Sequence, residues 1–565
     1  MTHVAASPNV TSAEPLGCNV ARRLSVTAAR MPDAVAIAMP RGRESNGKRQ
    51  YEACTFRELE ADTSRIASGL RAMGVVPRTR IALLVRPSRE FISLAFALFK
   101  VGAVTILIDP GMGRKNLIQC LADAEPEGFV AIPLVHVVRT LFKRRFPRAR
   151  FNVTVGRRWF WDGLTLDEVR QRGSDTPFCH QTSADDPAAI IFTTGSTGPP
   201  KGVLYCHGNF DRQVSELGDF YKIRPGEIDL PGFPLFGLFN CALGVTTVIP
   251  DMDPTRPAQV DPRKIVEAIR DWQVTQAFGS PAIWNRVGQY CEQQQIQLPT
   301  LRRVLSAGAP VPPHVLARMK QCIAADGDVH TPYGATEALP VASIAASEVL
   351  SETQFLWAQG NGTCIGRRFP GIDWKIITIT DGPVADLTAV KELPLGHIGE
   401  LIVSGPVVTR EYVTRVEANA WGKIMDGPRV WHRMGDVGHL DEAGRFWFCG
   451  RMAHRVQTAE GVMFTIPCEA IFNQHPDVYR SALVGVGPPG QQRPAIVVEP
   501  WPGHMPRGRA AREKLLGELA ELARGNSLTS RIQDFLLHLS LPVDIRHNAK
   551  IFREKLAVWA APRLR

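Results

Sequence analysis

The sequence predicts an α/β fold: a large N-terminal domain of helix-covered sheets carrying a small β unit, then a smaller α+β C-terminal domain. Three observations carry this. Strand-like apolar runs alternate with amphipathic segments up to about residue 345, the texture of parallel sheets covered by helices. From about 365 to 448 the chain turns to short β-prone runs cut by Gly, Asp and Pro, such as GELIVSG (399–405) and GRFWFCG (444–450). Past Gly450 it becomes mixed again and ends in a basic tail.

Taken in order, Thr55-Phe56-Arg57-Glu58 reads as a capping box, with Glu58 placed to reach back to the cap amide. Leu59, Ile66, Leu70 and Met73 follow at helical spacing, and Gly74 supplies a stop. IALLV (81–85) predicts a strand, 88–100 a helix and VTILI (104–108) another strand. The run Phe91 to Ile108 is the most apolar of the chain. Lys100 and Gly102 interrupt it and Asp109-Pro110 ends it, so it reads as a buried helix entering a strand and not as a membrane span. We place the domain boundary between residues 449 and 450, giving an N-terminal domain 1–449, with the β unit at 365–448, and a C-terminal domain 450–565. Two helical patterns are expected in the latter, around 509–524 and 528–539.

Composition narrows the function. With 44% apolar and 21% charged residues among 565, the chain is an ordinary globular protein of several structural units. A formal charge of +11 favours anionic ligands, but no arginine-rich tail or nucleic-acid motif accompanies it, so nucleic acid is not an expected partner. Eleven scattered cysteines without a Cys-x-x-Cys pair argue for reduced thiols and against a zinc site. The N-terminus lacks the basic start and apolar core of a signal peptide, and a cytoplasmic enzyme is expected. The basic, aromatic-interleaved segment RTLFKRRFPRAR (139–150) reads as a solvated patch or as a docking surface for a protein or acidic membrane.

The stretch 191-IFTTGSTGPPKGVLYCHGN-209 raises a phosphate-binding loop. In common NTPases a Gly-Lys-Ser/Thr sequence opens a helix around the phosphates. Here Lys201 follows two prolines and cannot open a helix in that way, which disfavours a P-loop kinase. What remains is a loop offering the amides of Gly195 to Gly198, the hydroxyls of Thr193, Thr194, Ser196 and Thr197, and one cation, Lys201. Such groups can wrap a triphosphate, although a Gly/Ser/Thr loop alone is more often a plain turn.

Phe192 to Gly202 resembles the phosphate-loop signature of the adenylate-forming superfamily, which includes acyl-CoA synthetases, peptide-synthetase adenylation domains and luciferases. Further blocks resemble that family in order: LFKVGAVTILIDP (98–110), PLF (234–236), SAGAP (306–310), YGATE (333–337), GELIVSG (399–405), Gly435-Asp436, Gly450-Arg451 and NAKIFR (548–553). The resemblance implies ATP and Mg²⁺ as cofactors. Thr193, Thr194, Gly195, Ser196, Thr197, Gly198 and Lys201 would then hold the phosphates. Tyr333 and Gly334, with Gly308, Ala309 and Pro310, would flank adenine. Asp436 would accept hydrogen bonds from the ribose hydroxyls, and Arg451 would reach ribose or phosphate. Glu337 would hold Mg²⁺ and Thr336 would touch the α-phosphate region. Lys550 would bridge the substrate carboxylate and the α-phosphate, as the catalytic lysine, and the resemblance makes the C-terminal domain 450–565 that carries it a mobile lid. Phe236 and Gly237 would belong to the acyl pocket.

Three positions depart from the common pattern. Ala549 stands where Gly is usual, Ala453 occupies the hinge position, and Gly237 follows Phe236 where acyl-CoA synthetases often carry His. The last two departures, with PVDIRHNAKIFREKLAVWA (542–560) and IIFTTGSTGPPKGVLY (190–205), resemble the olefin-biosynthesis β-lactone synthetases. That resemblance implies a long-chain 2-alkyl-3-hydroxy acid substrate, activated with ATP and closed to a β-lactone, and membership of a hydrocarbon-biosynthesis assembly. The apolar run GFPLFGLFNCALGV (232–245) could line a cavity for two alkyl tails or simply pack as core. His207 and His454 are candidates to take the hydroxyl proton. Two other readings are a long-chain fatty acyl-CoA synthetase or fatty acyl-AMP ligase, and a catalytically silent scaffold.

Overall fold

A computed structural model describes residues 17–193, 199–233, 235–543 and 550–564. The first expected helix, α1 (Phe56–Ala72), opens on Thr55 with the full capping box: the Thr55 hydroxyl accepts from the Glu58 amide and the Glu58 carboxylate accepts from the Thr55 amide. It packs on α2 (Arg89–Val101), which is buried along nearly its whole length. Lys100, which breaks the apolar run in sequence, is itself fully buried. Its ammonium donates to Glu60 Oε1 at 2.5 Å and to Ser64 Oγ at 2.8 Å, so the cation is paired across the α1–α2 interface.

Two helix-flanked sheets form the N-terminal body. One has seven strands in the order 164–165, 151–154, 128–131, 80–84, 104–107, 187–192 and 202–206, with every neighbour parallel except the last pair. The other has nine. Its central strands, from Val35–Arg43 to Asp328–Ala335, run parallel, with antiparallel pairs at both edges. Strands buried on both faces read as unbroken apolar runs, which is why IALLV and VTILI stand out in sequence. The β unit is a six-stranded antiparallel sheet drawn from residues 363–451. Its strand Arg429–Leu440 is pinned by a buried pair in which Arg433 Nη2 donates to Glu400 at 2.6 Å.

The C-terminal part contains a three-stranded sheet of Val478–Val486, Arg493–Pro500 and Asp534–Leu537. The helix expected at 509–524 is present as Arg509–Arg524. The helix expected at 528–539 is not: this segment turns and then forms the strand Asp534–Leu537, parallel to Arg493–Pro500. Leu528, Ile532 and Phe535 mimic helical spacing, but the open edge of Arg493–Pro500 offers the backbone ladder partners that a short helix would lack. A further helix, Arg553–Ala560, lies in what reads as basic tail.

Asp229, on the strand Ile228–Pro231, supplies a stability prediction. Burial pushes its carboxyl up to about 7, although Asn240 donates to it at 2.6 Å. The folded state therefore holds a proton that the unfolded chain releases near about 3.9. The stability this proton confers is complete below about pH 4 and is lost as pH rises through about 7. Asp229→Asn removes that loss. Urea unfolding at pH 5 and pH 8 should show the variant gaining on the parent by roughly 2–4 kcal/mol between the two.

Candidate active site

The C-terminal ends of strands from both large sheets, the β unit and the C-terminal part all face one cavity of about 2600 Å³. Ligands of open α/β sheets bind in such crevices. Its wall contains Thr193, Lys201, Phe236, Gly308, Ala309, Pro310, Tyr333, Gly334, Thr336, Glu337, Asp436, Arg451 and Lys550. The fold thus gathers residues that lie up to 357 positions apart in sequence, from 193 to 550. Thr194, Gly195, Ser196, Thr197 and Gly198 lie outside the described residues.

The base of the expected phosphate loop is closed by two hydrogen bonds. The Thr193 amide donates to the Lys201 carbonyl at 3.0 Å, and the Lys201 amide donates to Thr193 Oγ1 at 3.1 Å. Lys201 Nζ sits 4.8 Å from the centre of the Tyr412 ring. Close backbone approach explains Gly334: a Cβ there would lie 2.7 Å from the Ala338 carbonyl oxygen.

Asp436 and Arg451 are direct cross-strand partners in the β unit. Arg451 Nη1 donates to Asp436 Oδ1 at 2.8 Å and to the Met434 carbonyl at 2.9 Å. The Tyr333 hydroxyl donates to Asp436 Oδ2. Burial and the neighbouring carboxylate hold the Tyr333 phenol protonated, well above its ordinary range. A carboxylate oxygen accepts more than one hydrogen bond, so Asp436 keeps capacity for a diol.

Glu337 is almost completely buried, and the Tyr412 hydroxyl donates to its Oε1 at 2.6 Å. Burial pushes this carboxyl up, but His432, Tyr412 and Lys423 more than offset it and hold Glu337 below the usual carboxylate range. Burial also pushes His432 itself down, to about 3. Lys423 lies behind the cavity wall, where its ammonium donates to the Thr409 carbonyl at 2.5 Å; burial lowers it to about 7. The Thr409 amide in turn donates to the Glu337 carbonyl at 2.9 Å, and the Tyr205 hydroxyl to the Thr336 carbonyl at 2.6 Å. Tyr412 and Lys423 stand in none of the quoted sequence blocks, and Tyr205 only closes the 190–205 block; the fold brings all three to the 336–337 pair.

The donor set suits Mg²⁺ in one particular way. No cluster of three metal-ligating side chains occurs among the described residues. A single ionised carboxylate on a polar wall matches an ion that takes one or two protein oxygens and completes its shell with phosphate and water. The same wall carries Ser280 Oγ, Ser306 Oγ and Gln213 Oε1, buried atoms without a hydrogen-bond partner and therefore open to a polar ligand.

The apolar part of the cavity is lined by Phe91, Phe96, Phe99, Phe236, Leu238 and Phe239, with Phe236 stacked on Phe278 at 3.7 Å. Gly237 is placed elsewhere. On the helix Phe236–Leu243 it faces α2, where a Cβ would come within 3.3 Å of Ile92 and Thr247. It sets how closely the two helices approach and does not contact the cavity. His207 also lies off the cavity wall: it is fully buried, both ring nitrogens lack partners, and burial lowers it to about 4. His454 lines the cavity, with Nε2 3.0 Å from Glu554.

Lys550 reaches the cavity from a chain held at both sides. Ile551 bridges to Val543, and Arg553 clamps Glu469, with Nη2 2.8 Å from each carboxylate oxygen. Glu469, fully enclosed, also accepts from the Leu483 amide at 2.8 Å.

Comparison with known proteins agrees with this geometry. The profile of the AMP-binding enzyme family matches residues 24–413. The olefin beta-lactone synthetase of Xanthomonas campestris pv. campestris is 46% identical over 551 residues, 96% of this chain and 98% of that protein. The enzyme of the same description from Stenotrophomonas maltophilia is 46% identical over 97% of this chain and 99% of its own. Among solved structures, the amide bond synthetase McbA of Marinactinospora thermotolerans superposes with a TM-score of 0.77 at 22% identity, covering 96% of this chain and 99% of that one. At that identity the likeness concerns the fold. Profile, near full-length relatives and cavity lead to one conclusion: the chain belongs to the AMP-binding enzyme family.

Proposed function

We propose that the protein is an AMP-forming β-lactone synthetase of olefin biosynthesis, acting on a long-chain 2-alkyl-3-hydroxy acid. The observation that carries this reading is 46% identity, over nearly the full length, to two olefin beta-lactone synthetases. The cavity supports it, with a polar wall of Glu337, Asp436 and Lys550 continuous with a phenylalanine-rich one.

In this reading a carboxylate oxygen of the acid attacks the α-phosphorus of ATP and the bond to pyrophosphate breaks. Lys550 neutralises charge between the two anions, Lys201 meets the distal phosphates and Asp436 fixes the ribose. Mg²⁺ held at Glu337 would offset phosphate charge. The substrate's own 3-hydroxyl then attacks the acyl carbon, AMP leaves, and the hydroxyl proton passes to a base. Of the two histidines, His454 is the one placed on the cavity wall. Residues 450–565, which supply Lys550, act as the lid, and the enzyme works in the cytoplasm beside other hydrocarbon-forming enzymes.

The test is mass spectrometry of products from a synthetic 2-alkyl-3-hydroxy acid, ATP and Mg²⁺, with and without coenzyme A. The expected result is β-lactone and AMP in both arms. A thioester without lactone would assign a long-chain acyl-CoA synthetase instead, and an acyl-adenylate that accumulates without ring closure would assign a fatty acyl-AMP ligase.

A further inference from the structure

The basic segment after residue 132 has no part in the chemistry above, and its surroundings are unusual. Five of the seventeen large apolar side chains exposed among the described residues fall between 134 and 160: Leu134 at 65%, Leu141 at 75%, Phe142 at 42%, Trp159 at 56% and Phe160 at 70%. Leu134 and Leu141 are seven residues apart on the helix Pro133–Leu141, hence on one face. Phe142 follows at its end. The opposite face is inward: His136 is fully buried and Val135 lines the cavity.

Trp159 and Phe160 belong to the next loop, which is tied to the same helix. Trp161 is buried, stacks on His136 at 5.5 Å and donates from its indole nitrogen to Thr154 Oγ1 at 2.9 Å. The Trp159 and Phe160 rings lie 5.4 Å and 5.2 Å from Trp161. The loop is therefore anchored by one ring and presents two others outward, beside the apolar stripe of the helix.

Residues 133–163 hold eight Arg or Lys and a single acidic residue, Asp162. Arg148, Arg150 and Arg158 are shared with Glu125, Glu127 and Glu168. Lys143, Arg144, Arg145 and Arg157 are exposed and form no ion pair among the described residues. Exposed Trp, Phe and Leu set among uncompensated cations match the boundary of an anionic bilayer, where apolar rings enter the headgroup layer and cations meet lipid phosphates. A protein interface places its cations differently, with lysine depleted from the apolar centre.

We propose that this face, formed by the helix Pro133–Leu141, the turn Lys143–Arg145 and the loop 156–161, docks the enzyme reversibly on anionic lipid membranes. Charge complementarity selects the lipid, and the exposed rings provide the insertion. The helix that meets the bilayer also walls the substrate cavity through Val135. If the substrate is the long-chain acid proposed above, docking brings the cavity to the phase in which that acid dissolves; the docking itself does not depend on that reading.

The test is co-sedimentation of the full chain with vesicles of phosphatidylcholine alone or mixed with phosphatidylglycerol, at low and high salt. The wild type should pellet with the mixed vesicles and be released by salt. Lys143→Glu with Arg144→Glu should weaken partition by roughly 25-fold or more, about fivefold for each cation removed. Trp159→Ala with Phe160→Ala should abolish the fraction that resists salt. ATP–pyrophosphate exchange in vesicle-free solution should stay at the wild-type level in both double variants, which separates docking from folding and from the proposed chemistry. A wild type that stays in the supernatant with mixed vesicles would overturn the proposal and leave the patch to an acidic protein partner. Binding that neither double variant weakens would overturn it as well.

Discussion

Lys550→Ala is expected to lower acid-dependent ATP–pyrophosphate exchange by about 10²–10³-fold, the loss typical of removing one aimed donor from a developing anion. Attack of a carboxylate on a phosphate ester brings like charges together, and the cavity offers few cations for that point. Arg451 is committed to Asp436 and the Met434 carbonyl, and Lys201 sits over Tyr412. Of the cations that the C-terminal part places on the wall, Arg553 is committed to Glu469 and Arg480 to Glu499, and Lys550 is the one that stands in the NAKIFR block. Arg553 moors the segment to Glu469, so the alanine variant should fold normally and retain ATP-induced thermal stabilisation. Exchange at the wild-type rate in folded Lys550→Ala would dismiss the assignment. Lys550→Arg should recover little, since a planar guanidinium does not replace a compact ammonium in a site shaped for one.

The second large effect concerns Glu337→Gln, for which we expect a loss of about 10²–10³-fold in exchange at fixed Mg²⁺. The amide keeps an oxygen acceptor for Tyr412 but no longer offers a negative charge to a cation. Raising Mg²⁺ should recover part of the rate, a readout that a purely structural role would not give. The acid limb of wild-type activity is informative too. His432, Tyr412 and Lys423 hold the Glu337 carboxyl below the usual range, so it stays ionised as pH falls past about 4.3 and protonates only at lower pH. Its contribution to activity and stability is present above that point and lost below it.

How far the sequence discloses all this depends on how local the cause is. The helix Phe56–Ala72 is legible because its capping box and its spacing are self-contained. The buried strands 80–84 and 104–107 are legible because covering both faces leaves a continuous apolar run. Segment 528–539 is not, because the decision between helix and strand is made by the free edge of Arg493–Pro500, which no local pattern records. Lys100 reads as an interruption until Glu60 and Ser64 are found across the interface.

The site divides in the same way. Blocks such as YGATE and Gly435-Asp436 single out residues that the structure brings to one wall. The groups that tune them, Tyr412 against Glu337 and Lys423 behind it, are selected by three-dimensional adjacency across 75 and 86 positions. Gly237 is the reverse case. Its neighbour Phe236 faces the cavity, but one step along a helix turns a residue by about 100°, and Gly237 is aimed at Ile92.

The clamp between Arg553 and Glu469 has a consequence for how the end of the chain tolerates change. Three residues beyond Lys550, it moors the segment to the helix Thr465–Phe472, so the reach of the ammonium is fixed upstream of the last dozen residues. A tag added after the helix Arg553–Ala560 leaves the lysine where it is, whereas a truncation into that helix takes Leu556 and Ala560 out of the core on the C-terminal sheet. One residue deleted or inserted between 550 and 553 shortens or lengthens the leash by up to about 3.5 Å, more than a hydrogen bond can follow.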